Sequence, residues 1–87
     1  VPGTHKLGVV NPGHFVTEAD QARYIQDREI VDLEVPAGEA ILLHNLLFHR
    51  SGVNQTVGPR RALSTAYMDA ATSDVKTGQT FPVVFAA

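Results

Sequence analysis

A mainly β fold, a sandwich or barrel with one short surface helix near residues 17–27, is what this sequence predicts. Three observations carry that expectation. The stretch Glu29–Val35 alternates apolar and polar side chains, the signature of a strand with one wet face. Further short apolar runs follow it, separated by Gly, Pro and polar turn signals. Only one segment, TEADQARYIQD at 17–27, has the composition and capping residues of a helix.

Residues 1–14 hold Pro2, Gly3, Gly8, Pro12 and Gly13, a density that marks an irregular loop; His5 and His14 lie in it, and Leu7–Val10 is a candidate for a short extended piece. At 17–27, Thr17 is placed to cap the helix, with Asp20 three residues on completing a weaker capping box than Glu would. Glu18 and Asp20 also suit the positive end of the helix dipole. Ala22 and Ile25, with Tyr24, are its apolar contacts, so it should lie on the surface. In 29–35, Val31, Leu33 and Val35 face one way and Asp32 and Glu34 the other. Pro36-Ala37-Gly38-Glu39 reads as a turn, because proline presets φ and glycine allows a positive one. Ala40–Asn45 is the next expected strand, and Leu46–Ser51 continues or re-enters the sheet. Gly52–Pro59 is a polar loop, Arg60–Asp69 the longest strand candidate, and 70–80 polar loop again. Phe81–Phe85 is apolar, but Pro82 restricts it to a sheet edge or coil.

Composition narrows the functional classes. Eighty-seven residues make one domain or less, and a chain this short buries only about 60 % of its unfolded surface. There is no cysteine, which excludes a disulfide framework and any zinc–thiolate site. A net charge of −2 gives no nucleic-acid footprint and no polybasic membrane patch. The longest apolar runs, Ala40–Leu43 and Leu46–Phe48, are too short to span a bilayer. No signal-peptide pattern opens the chain, so a cytoplasmic protein is expected. The sequence begins at Val1 on a loop-like VPGTHKLG, and we expect it to be the C-terminal part of a longer protein. Its oligomeric state is not legible.

The residues that bear on chemistry fall between Glu39 and Asp69. His49 follows Leu46, Leu47 and Phe48 on an expected strand, with Ser51 on the same face. A lone histidine in an apolar run is more often a hydrogen-bonded core residue than a metal ligand. No His-x-Asp or His-x-Glu pair occurs in the chain, so these residues alone do not close a metal site. Arg60 and Arg61 begin the last long strand candidate. If Arg60 faces inward, its row continues Ala62, Ser64, Ala66 and Met68, leaving room for a ligand beside a bidentate carboxylate binder. The bland reading makes both arginines solvated charges at a loop edge.

PGTHK at Pro2–Lys6, VPAGEAILLHNLLFHRSGVNQ at Val35–Gln55 and PRRALSTAYMDA at Pro59–Ala70 together resemble the C-terminal half of the phytanoyl-CoA dioxygenase family. The resemblance implies a double-stranded β-helix, or jelly roll, of which residues 1–87 would be the C-terminal portion of one oxygenase domain. It implies Fe(II) as metal, 2-oxoglutarate and O2 as co-substrates, and hydroxylation of a small-molecule or lipid-type substrate. It makes His49 the distal iron ligand. It makes Arg60, eleven residues later, the partner of the far carboxylate of 2-oxoglutarate, with Ser51 helping to hold that carboxylate. Arg61 is the rival anchor, and spacing decides against it.

Other residues of the matching segments take lesser parts. His44 reads as a core or outer histidine, because an alternating strand does not aim both His44 and His49 at one metal without a bend. Asn54 reads as a loop-stabilising side chain. Thr4 and His5 match a family loop near the pocket. The family's His-x-Asp pair is absent and is expected upstream of Val1, so these 87 residues alone should neither hold iron tightly nor turn over substrate. A non-catalytic, cupin-like ligand-binding jelly roll, or a degenerate paralogue, is the competing reading. An upstream His-x-Asp pair would separate the two. Substrate identity is not legible, because fold does not fix function.

Overall fold

The computed structural model describes residues 1–13 and 15–84. His14, and Phe85 at the end of the terminal apolar segment, lie outside the described residues. The chain divides into two compact units, Val1–Val57 and Gly58–Ala87.

The first unit opens on a turn made by Pro2 and Gly3. Gly3 sits at φ 78° and ψ −8°, the third position of a type II turn with proline before it, a conformation that costs a glycine little. A single 3-10 turn, Thr4–Leu7, follows directly.

The expected helix forms as α1, Glu18–Tyr24. Its capping box is complete. The Asp20 N–H donates to Thr17 Oγ1 at 3.1 Å, and the Thr17 N–H donates to Asp20 Oδ2 at 2.9 Å. Thr17 Oγ1 and Asn11 Nδ2 also donate to Asp20 Oδ2, at 2.8 and 2.6 Å. The Thr17 backbone N–H, then its hydroxyl, hold the Asp20 carboxyl below its ordinary value, with Asn11 and Arg23 adding to the effect and burial opposing it. The helix is shorter than 17–27. Ile25 N–H closes the last i→i−4 bond onto Gln21 O at 3.0 Å, and Arg28 N–H then bonds Ile25 O at 2.8 Å in a tighter turn. No residue of α1 is buried, in keeping with its thin apolar face.

The expected turn at Pro36–Glu39 is present, with Glu39 N–H bonded to Pro36 O at 3.1 Å and Gly38 at φ 87°. A second turn interrupts the apolar run that follows: Leu47 N–H donates to His44 O at 2.9 Å. Ala40–Asn45 and Leu46–Ser51 are therefore separate segments. In the loop beyond, Asn54 Oδ1 accepts from the N–H and the hydroxyl of Thr56 at 3.0 and 2.8 Å, the local role its side chain suggested.

Among the described residues no strand forms, and the one isolated ladder contact is an antiparallel bridge, Ser73–Thr80, in the second unit. The reason is physical. A strand exists only where a neighbouring segment takes its N–H and C=O groups, and the described residues do not bring one alongside 29–35, 40–45 or 60–69. The apolar face of Val31, Leu33 and Val35 is accordingly exposed rather than half-buried.

The Ser73–Thr80 bridge closes a turn organised by Asp74, whose Oδ1 accepts the Lys76 and Thr77 N–H groups at 2.7 and 2.9 Å. Those two N–H groups, Thr77 first, hold the Asp74 carboxyl below its ordinary value. Asp69 ends the segment before it in the same way, accepting Ala71 N–H at 2.7 Å.

Candidate functional site

The opening loop and the Phe48 segment meet in the first unit, and this meeting organises the candidate site. Phe48 is the buried hydrophobic side chain of the described residues, at 8 % exposure, and Thr4 is buried completely. Thr4 Oγ1 donates to Val1 O at 2.7 Å and accepts the Phe48 N–H at 2.9 Å. The Val1 nitrogen donates to Phe48 O, also at 2.9 Å. The Phe48 ring meets Tyr24, from the end of α1, edge to face with centroids 6.5 Å apart. Next to Thr4, the His5 ring lies 5.1 Å from that of His44, tilted by 43°.

His49 follows Phe48 and is exposed. Its Nδ1 lies 2.7 Å from Leu47 O. A carbonyl oxygen only accepts, so Nδ1 carries the proton and the lone pair of the neutral ring sits on Nε2. That is the state a ring needs to ligate a metal through Nε2, with the other nitrogen held by a backbone carbonyl. His44 is arranged the opposite way. Its Nδ1 accepts the Leu46 N–H at 3.1 Å, which puts the proton of the neutral ring on Nε2. Alternation along an unbroken strand therefore does not separate the two histidines, since a turn lies between them. Their hydrogen bonds do.

Ser51 is exposed and belongs to the same unit as His49. Arg60 is exposed and lies just past the boundary, in the second unit. Arg61 is exposed as well. Among the described residues there is no group of three His, Cys, Asp or Glu side chains able to hold a metal. His49 has the donor chemistry for Fe(II), and the described residues supply no complete ligand set around it.

Sequence reasoning missed two features. It placed Thr4 and His5 only in a loop near the pocket, whereas Thr4 is fully buried and bonded to the Phe48 N–H, and the His5 ring lies beside that of His44. The Pro-Gly pair before Thr4 was the available signal, since a tight turn there folds the chain back on itself.

With this arrangement in view, comparison with known proteins defines the class. The family model for phytanoyl-CoA dioxygenase matches residues 1–62, a span that includes Thr4, His49, Ser51 and Arg60. A curated protein of Caenorhabditis elegans, "Probable phytanoyl-CoA dioxygenase", is 36 % identical over 77 residues, covering 77 % of this chain and 24 % of the relative. The chain belongs to the phytanoyl-CoA dioxygenase family. It spans about a quarter of the length of that relative. No solved structure matches it. No helix of the described residues is long and apolar enough to cross a membrane.

Proposed function

We propose that this chain is the C-terminal portion of a jelly-roll oxygenase domain that uses Fe(II), 2-oxoglutarate and O2 to hydroxylate a small-molecule or lipid-type substrate. Family membership supports the oxygenase class. The observation that carries the site reading is the His49 ring, whose Nδ1–H is held by Leu47 O so that Nε2 presents a lone pair. In this reading His49 is one of three protein ligands of a facial triad, and the other two come from a His-x-Asp pair in the longer protein.

Bound Fe(II) supplies the activation of O2 and the coupled oxidation of 2-oxoglutarate to succinate and CO2. The chain's own residues position the co-substrate. Arg60 offers a planar guanidinium fork to the far carboxylate of 2-oxoglutarate, a bidentate grip that turns the keto acid toward the metal. Ser51 donates its hydroxyl to the same carboxylate. On a strand with Arg60 facing inward, the small residues Ala62, Ser64 and Ala66 would share its face and leave space beside that grip.

Arg60→Ala tests the assignment in the longer protein. Losing a desolvated charge-assisted pair costs about 2–5 kcal/mol, so the 2-oxoglutarate concentration needed for half-maximal turnover should rise by about tenfold or more. An unchanged requirement would show that Arg60 is not the anchor. Arg61→Ala should leave the requirement where it was.

A further inference from the structure

We infer that Thr4 is a positioning residue for His49, acting through a single peptide plane. This rests on the reading of His49 as a metal ligand. The Leu47–Phe48 peptide is bonded at both ends. Its N–H, on Phe48, donates to Thr4 Oγ1 at 2.9 Å, and its C=O, on Leu47, accepts His49 Nδ1 at 2.7 Å. A peptide unit is planar and rigid, so fixing the direction of its N–H fixes that of its C=O. Hydrogen bonds in series also polarise one another, so a donor satisfied at Thr4 makes the Leu47 carbonyl a better acceptor for the imidazole.

Thr4 is suited to this role beyond its position. Its side chain is fully buried and its hydroxyl acts in both senses, donating to Val1 O at 2.7 Å while it accepts from Phe48. The hydroxyl proton is committed to Val1 O, which leaves the oxygen lone pairs facing the Phe48 N–H. The tautomer of His49, and the direction of its Nε2, follow from the Thr4 hydroxyl.

The test uses the longer oxygenase, Co(II) as a spectroscopically visible probe, and the imidazole 15N signals of His49. In the wild type those signals should report the proton on Nδ1; a proton on Nε2 overturns the proposal whatever the variants do. Thr4→Val keeps the shape and removes the hydroxyl. It should weaken Co(II) binding by about tenfold, the lower end of what an outer partner of a metal ligand contributes, and mix the His49 tautomers. Thr4→Ser restores the hydroxyl and should restore both readouts.

Tyr24→Leu takes the edge-on ring from Phe48 while leaving the relay intact, and should leave both readouts unchanged. Wild-type Co(II) affinity in Thr4→Val, or a loss in Thr4→Ser equal to that in Thr4→Val, overturns the relay. His49→Ala separates the two claims. If it binds Co(II) like the wild type, the ligand assignment itself fails; if it loses the metal while Thr4→Val keeps it, only the relay fails.

Discussion

His44 and His49 show how much a single hydrogen bond decides at the scale of a residue. Both are exposed imidazoles in one short segment, and the side chain alone does not give them different chemistry. The backbone does. An N–H pointing at His44 Nδ1 and a C=O pointing at His49 Nδ1 assign opposite tautomers. Only His49 then has its lone pair on the nitrogen that reaches outward. His44→Gln in the longer protein should accordingly leave Co(II) affinity unchanged, as read by titration of the metal's visible absorption. A loss comparable to that of His49→Ala would make His44 the ligand instead.

The same pair marks what was legible in the sequence at this scale. Motif spacing links His49, Ser51 and Arg60 in the sequence, and it is on that spacing that the proposed site rests. The tautomers are not legible there, because they depend on the turn at His44–Leu47, where four residues without Gly or Pro reverse an apolar run.

At the scale of the element, α1 is the clearest case of local sequence dictating local structure. Thr17 and Asp20 satisfy each other's backbone N–H groups, and the box forms on a helix that buries no residue. Seven residues lie below the length at which a helix holds itself in water, so the cap carries much of the burden. Thr17→Ala should cost about 1 kcal/mol of stability in the longer protein, measured as a shift in urea midpoint.

Asp20 adds a pH dependence whose sign is fixed. Its carboxyl is held below the ordinary value of 3.8 in the folded chain, chiefly by the Thr17 N–H. Its contribution is therefore complete above about pH 4 and is lost as pH falls through the lowered folded value. The amide proton of Thr17 should report that loss by NMR below pH 3.8, and Asp20→Asn should abolish the titration. A Thr17 amide signal insensitive to acid would refute the box. The turns at Pro36–Glu39 and at Asn54 were equally legible, since each is set by residues within three positions of one another.

The expected strands are patterns in the sequence, and none forms among the described residues, for a reason that belongs to the whole molecule. Alternation in Glu29–Val35 states which face would be buried, but not what buries it. Leu42 at 93 % exposure and Leu63 at 94 % are apolar side chains in expected strands that the described residues leave open to solvent. Strand pairing is non-local, and the partner edges are what the proposed jelly roll supplies from the longer protein. The 87 residues alone should therefore unfold without a cooperative transition and self-associate through these faces, by calorimetry and light scattering. A sharp, reversible calorimetric transition of the monomeric chain would contradict the reading of it as part of a larger domain.

The proposed function stands on this chain supplying one side of an iron- and 2-oxoglutarate-dependent active site. Succinate formation tests it most directly. The longer protein, incubated with its substrate, O2 and 2-oxoglutarate, should release succinate only when Fe(II) is present, and His49→Ala should abolish that release. Succinate formed without Fe(II), or formed undiminished by His49→Ala, would contradict the claim.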